Sequence, residues 1–166
     1  MASTDHATTP SEVRSFALLQ LALTAGFLVV IAWALGGGDA DVPPWWVFVL
    51  LLVPVPLAAY LAEQVWLRAE PLDADADPDD NRREAVDVYA SHTVRRLWIC
   101  EAPIILAVLV SFFGNHAAWP ILIGGLPALV VLAFEVWPSM RNVSMTAAVL
   151  ETDGADSGLV EGFRRP

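Results

Sequence analysis

The chain has 166 residues, of which 56% are hydrophobic, with a formal net charge of −10 and a single cysteine. A soluble domain is usually about 45–50% apolar, so an excess that is gathered into long runs indicates a membrane protein. An acidic chain whose nine basic residues are all arginine has no extended basic surface for a nucleic acid. A lone cysteine also excludes an internal disulfide and a cysteine-rich metal site.

Four apolar runs follow one another, at residues 16–35, 45–67, 97–113 and 119–137. A bilayer core about 30 Å thick needs roughly 20 helical residues, so each run is close to the length of one transmembrane helix. The runs are apolar on all sides, whereas a helix of a soluble bundle would keep a polar stripe. The sequence therefore predicts an all-α fold, a four-helix transmembrane bundle. The first run follows a polar N-terminus and has no cleavage site after it, so we expect it to be retained.

The organisation that follows from these runs has five parts. Two transmembrane hairpins, each made of two spans, are separated by an acidic linker in which a helix is expected from about residue 83. The parts are an N-terminal tail (1–15), the first hairpin (16–67), the linker (68–96), the second hairpin (97–137) and a C-terminal tail (138–166).

The arginines predict how the spans are oriented. One arginine precedes the first span, five lie between the second and third spans, and three follow the fourth, whereas the loops 36–44 and 114–118 contain none. Positively charged residues near span ends favour the cytoplasmic side, so both termini and the linker are expected there. The seven tryptophans cluster near span ends and are interpreted as interfacial anchors: Trp33, Trp45, Trp46 and Trp119 on the outer side, and Trp66, Trp98 and Trp137 on the inner side.

An internal similarity relates the two hairpins. Segments 56–66 and 127–137 align without a gap at an offset of 71 residues, and the proline, Leu-Ala and Val-Trp positions coincide. This pattern predicts two tandem hairpins that form a parallel pseudo-repeat. The pairs Ala22/Gly26 and Gly124/Ala128 have the small-xxx-small spacing that favours close helix packing in lipid.

Four polar side chains form a candidate layer near the predicted inner ends of the spans: Gln20, Glu63, Glu101 and Glu135. Possible ion-pair partners at this depth are Arg68, Arg95, Arg96 and Arg141. Glu101, two residues before Pro103, is expected in the first turn of a helix, where the helix dipole favours an anion. Two interpretations remain open, namely a set of structural ion pairs or a polar vestibule for protons or cations.

The linker contains a spacing that resembles a calcium-binding EF-hand loop. Positions 1, 3, 5, 7, 9 and 12 of such a loop would be Asp73, Asp75, Asp77, Asp79, Asn81 and Glu84. Pro78 stands where the loop needs a glycine, and Asp80 stands where it has an apolar residue. The preferred interpretation is a solvated acidic linker without a metal.

No nucleophile elbow, phosphate loop, zinc spacing or dinucleotide motif occurs in the sequence, so we expect no enzyme, no catalytic residue and no cofactor. The leading hypothesis is a non-catalytic accessory or interaction protein of the cell membrane. Its partners would be the lipid bilayer and either a second copy or another membrane protein, but no nucleic acid. The alternative is a small oligomeric transporter or ion or proton conductor that uses the inner-leaflet carboxylates. A third hypothesis is a cytoplasmic sensor that uses the acidic linker.

The C-terminal tail is expected to begin as a short amphipathic helix over residues 143–150. An apolar patch follows, made of Leu159, Val160 and Phe163. We expect this patch to contact the membrane or a partner.

Overall fold

The structure is a computed structural model that describes residues 8–36 and 41–164. Parts of the predicted N-terminal tail (1–7), of the first outer loop (37–40) and of the C-terminal tail (165–166) lie outside the described residues. Within the described ranges the chain forms helices and no strands. In chain order these are α1 (Pro10–Leu35), α2 (Trp45–Leu52), α3 (Pro54–Trp66), α4 (Pro78–Phe113), a π-helical segment (Ile121–Gly125), α5 (Leu126–Val136), α6 (Met140–Leu150) and α7 (Leu159–Arg164).

Several of these helices are long and apolar enough to cross a membrane. Three candidate spans are Pro10–Leu35, Trp45–Trp66 and Pro78–Phe113. A fourth arises if Ile121–Val136 and Met140–Leu150, which meet at a bend of 51°, form one span. The structure thus confirms the predicted all-α class, with three to four candidate membrane spans in the described residues.

The first two candidate spans owe their shape to capping and to proline. Thr9 caps α1 through a reciprocal capping box with Glu12, so the helix begins six residues before the apolar run at 16–35. The second candidate span is divided into α2 and α3 just before Pro54. Val53 keeps helical dihedral angles (φ −63°, ψ −40°), and Pro54 stands at the first position of α3, where a missing N–H costs little.

Helix α4 is a single helix of 36 residues that joins the acidic linker to the third apolar run. The helix begins at Pro78 because the Asp77 side chain accepts the N–H of Asp79 and so caps it. This start lies five residues before the predicted residue 83. Our prediction that Glu101 lies in a first helical turn is wrong. Glu101 stands in the middle of α4, far from the N-terminal end of the helix dipole.

The fourth apolar run begins with a π-helical segment that packs against α2. A Cβ atom on Gly124 would lie 2.9 Å from the Cβ of Leu51, so glycine is what permits this close approach. By contrast, a Cβ on Gly26 would meet nothing within 4 Å. Of the two small-residue pairs in the sequence, only the one at Gly124 lies at a helix contact within the described chain.

The linker and the tails, which lie outside the four apolar runs, share a hydrophobic core. We call this assembly the helix layer; it consists of the start of α1, residues 66–96, α6 and α7. Its buried residues are Val13, Trp66, Leu72, Ala85, Val86, Tyr89, Val143, Ala147, Leu150, Ala155, Leu159 and Phe163. A second core, which includes Ala17, Leu28, Val55, Ala62, Leu97, Ile104 and Leu132, lies among the apolar runs.

The C-terminal helix α7 closes the helix layer. Leu159 and Phe163 are each 1% exposed, and the Phe163 ring lies 5.0 Å from the Tyr89 ring. Arg14 of α1 donates a hydrogen bond to the main-chain carbonyl of Phe163. Our expectation that this apolar patch contacts the membrane or a partner is therefore wrong for Leu159 and Phe163, because the chain itself covers both side chains.

Candidate functional site between the apolar runs and the helix layer

The two cores meet at a buried arginine. Arg96 of α4 is 0% exposed, and its Nη1 lies 3.6 Å from Oε2 of Glu135 on α5, which is 2% exposed. The guanidinium carbon of Arg96 lies 3.4 Å from the centroid of the Trp66 ring on α3. One side chain from each of three helices thus converges at this point. We call Trp66, Tyr89, His92, Arg96 and Glu135 the Arg96 cluster.

Helical spacing explains why α4 contributes three members of the cluster. Tyr89, His92 and Arg96 stand at intervals of three and four residues, so they project from one face of the helix. All three are buried, together with Thr93 on the same face. His92 was assigned to no site from the sequence, although its spacing from Tyr89 was a signal that this face of the helix is buried.

The Arg96 cluster contains polar atoms that make no hydrogen bond to the described protein. They are Trp66 Nε1, Tyr89 Oη, His92 Nδ1, Glu135 Oε2 and the three guanidinium nitrogens of Arg96. The 3.6 Å contact is an ion pair that is longer than a hydrogen bond. Arg96 is therefore held by the charge of Glu135 and by the face of the Trp66 ring. Removal of either charge would leave the other one buried without a partner.

Two cluster members in the part of α4 before Leu97 have shifted pKa values. Burial raises the pKa of the Tyr89 hydroxyl to about 12. Burial, followed by the positive charges of Arg95 and Arg96, lowers the pKa of His92 below its ordinary value. Both side chains are therefore neutral at pH 7, so neither adds a charge to the pair formed by Arg96 and Glu135.

Trp66 corrects our interpretation of the tryptophans. The other six are each at least 38% exposed, which fits their assignment as interfacial anchors. Trp66 is 1% exposed and lies within the protein, with its ring centroid 6.0 Å from that of Tyr89. The prediction that all seven tryptophans are interfacial anchors is wrong for Trp66, because Arg96 and the helix layer cover its ring.

A second arginine joins the same two helices nearer the surface. Nη2 of Arg141 lies 2.8 Å from Oε1 of Glu63 on α3, and these side chains are 40% and 45% exposed. Its guanidinium carbon also lies 4.9 Å from the ring centroid of Phe134 on α5. Arg96 and Arg141 therefore each contact both α3 and α5. Within the described residues, the candidate partners Arg68 and Arg95 form no ion pair within 4.0 Å.

The other two residues of the predicted polar layer lie together on a different side of the molecule. Gln20 and Glu101 line a groove between α1 and α4 with a volume of about 280 Å³. The Thr24 hydroxyl donates a hydrogen bond of 3.4 Å to Oε1 of Glu101. We call this the Glu101 groove; its lining residues are Gln20, Leu23, Thr24, Phe27, Glu101, Ile104 and Ile105.

Most of the EF-hand-like residues form local contacts at or near the start of α4. Asp77 caps the helix, and Asp73 accepts the N–H of Asp75 in a local turn. Asn81 donates from its side-chain amide to the carbonyl of Asp73 and so ties the linker to the helix. Asp79 pairs with Arg82, and Glu84 is exposed on α4. Across residues 8–36 and 41–164, no three His, Cys, Asp or Glu side chains are arranged to hold a metal ion.

Asn142 is a buried residue that the sequence analysis missed. Its side-chain amide donates to the main-chain carbonyls of Phe134, Glu135 and Trp137. Pro138 has no N–H for the Phe134 carbonyl, and Ser139 donates its N–H to Trp137 and not to Glu135. The Asn142 amide therefore donates to carbonyls that the end of α5 leaves open at the bend between α5 and α6. The bend in turn places Arg141 beside Glu63.

The comparisons with known proteins give no relative. No family model, curated protein or solved structure matches this chain.

Proposed function

We propose that this chain is a multi-pass protein of the cell membrane with four spans, in which both termini and the linker face the cytoplasm. The arginines, which avoid both short loops, support this orientation. The exposure of Trp33 (83%) and Trp45 (77%) supports the predicted positions of the span ends, since indole rings prefer the membrane interface. The spans would form two tandem hairpins related by the 71-residue repeat.

We infer that its function is non-catalytic, as an accessory or interaction protein that presents the helix layer to a membrane-protein partner. The observation that carries this proposal is the shared core of the linker and the tails. Trp66, Tyr89 and Phe163 come from three separate segments, and the rings of Trp66 and Phe163 each pack at a tilt against that of Tyr89. Segments that served only as connections would not need a buried core, whereas a binding platform needs a fixed shape.

The chemistry of the exposed surface indicates the kind of partner. On the first turns of α4, Arg82 and Arg83 pair with Asp79 and Asp80. Glu84 and Asp87 are exposed and form no ion pair within the described residues. The excess negative charge beside the membrane favours a partner with a basic cytoplasmic segment, because complementary charge speeds and orients association.

The contacts of the carboxylates favour this proposal over the alternative of an ion or proton conductor. Of the three carboxylates in the polar layer, Glu63 and Glu135 are each engaged by an arginine, whereas Glu101 accepts a hydrogen bond from Thr24. A conducting path through the polar layer would need carboxylates that exchange protons or cations freely, and an adjacent arginine opposes both.

Cross-linking in cells tests the proposed partner surface. A photo-reactive amino acid at Ser91, which is exposed on α4, is expected to yield one discrete heavier product. The product should decrease about fivefold when Glu84→Gln and Asp87→Asn are combined, since two exposed pairs of about 0.5 kcal/mol each contribute about 1 kcal/mol together. The control position is Val130, which is 69% exposed in α5 and predicted to face lipid. No discrete product from Ser91, or one insensitive to the two charges, would refute the proposal.

A further inference from the structure

The three carboxylates within the apolar runs have different surroundings. Glu63 contacts Arg141 and Glu135 contacts Arg96. Glu101 has no cation within 4.0 Å among the described residues, and its hydrogen-bonding partner is the Thr24 hydroxyl. An ionised carboxylate in such apolar surroundings needs a cation, because desolvation without one is costly.

The Glu101 groove has a polar end and an apolar end. Gln20, Thr24 and Glu101 supply oxygen acceptors at one end. Phe27 follows Thr24 along α1, and Ile104 and Ile105 follow Glu101 along α4, so each wall is apolar beyond its last polar residue. All three polar side chains are only half-buried, so a molecule within the bilayer can reach them from the side. These features fit an amphiphile with a cationic head and an apolar tail.

We propose that the Glu101 groove binds the primary ammonium headgroup of an aminophospholipid, of which phosphatidylethanolamine is the simplest example. A primary ammonium has three N–H donors, and the groove offers the Glu101 carboxylate, the Gln20 amide oxygen and the Thr24 hydroxyl oxygen as acceptors. A trimethylated ammonium has the same charge but no N–H, so it leaves the acceptors unpaired. This site is additional to the partner surface on the helix layer and does not depend on it.

Native mass spectrometry on the full chain tests the inference with two lipids that differ only in the headgroup nitrogen. The protein, released from mixed vesicles of phosphatidylethanolamine and phosphatidylcholine, is expected to retain one phosphatidylethanolamine per chain. A preference of about tenfold over phosphatidylcholine is expected; this equals about 1.4 kcal/mol, close to the contribution of one charge-assisted hydrogen bond. Glu101→Gln should abolish the preference. Glu63→Gln is the matched control and should keep it, because Glu63 lies at a similar predicted depth but already contacts Arg141.

Equal retention of the two lipids by the wild-type chain, or an unchanged preference in Glu101→Gln, would overturn the inference. A Glu101-dependent dimer without lipid would also overturn it, because a second copy would then occupy the groove. If Glu101→Gln does not fold, Thr24→Val gives an independent measurement. Valine has nearly the shape of threonine but no hydroxyl, so this variant should reduce the preference severalfold, and an unchanged preference would count against the site.

Discussion

Replacing Arg96 with methionine is expected to lower the free energy of unfolding by about 3–5 kcal/mol, because the change leaves the Glu135 carboxylate buried without its cation. Arg96 is 0% exposed and Glu135 is 2% exposed, so solvent cannot take over the role of the lost partner. The measurement is reversible unfolding in mixed micelles, followed by circular dichroism.

Arg141→Met provides the matched control. Arg141 also pairs with a glutamate and also contacts an aromatic ring, but its side chain is 40% exposed. Exposed ion pairs contribute about 0–1 kcal/mol, so a small loss is expected there. The double variant Arg96→Met with Glu135→Leu should recover most of the stability lost in Arg96→Met, since it removes the orphaned charge. Similar losses in Arg96→Met and Arg141→Met would show that the Arg96 pair is not buried.

Replacing Trp66 with alanine is expected to cost about 3–5 kcal/mol of unfolding free energy, as for other large aromatic side chains removed from a core. The substitution removes the ring that faces the Arg96 guanidinium and opens a cavity beside Tyr89. The loss can be measured under the same unfolding conditions.

Trp137 gives a control from the aligned segment. In the alignment of 56–66 with 127–137 it stands at the position of Trp66, but it is 41% exposed. Trp137→Ala is therefore expected to cost about 1 kcal/mol or less, as at sites away from a core. Equal costs at the two positions would contradict the assignment of Trp66 to the core.

The helices were predictable because long apolar runs specify spans by composition alone. The helix layer was not, because its buried residues are spread over segments dominated by charge. Leu72, Val86 and Phe163 lie far apart in sequence, and only the folded chain brings them into one core. Likewise, Trp66 and Trp137 end similar segments but differ in burial, because the difference arises from Arg96 on another helix. A local pattern cannot show such a partner.

The polar layer was predictable as a set of residues but not as a set of contacts. Arg141 pairs with Glu63 across 78 residues, a distance that no local spacing rule covers. Arg96 and Glu101 are close in sequence but five residues apart on a helix. They therefore point about 140° away from each other, at about 100° per residue. That geometry directs Arg96 to Glu135 and leaves Glu101 beside Thr24.

The central claim is that the linker and the C-terminal segments form one folded layer joined to the spans by α4. Hydrogen exchange of the full chain in lipid nanodiscs tests it most directly. If the layer is folded, amides of Met140–Leu150 and of residues 82–96 should exchange at least about 100-fold more slowly than an unstructured chain, since opening a packed helix costs free energy. If α6 and the first half of α4 exchange at the rate of an unstructured chain while the apolar runs stay protected, the helix layer does not exist.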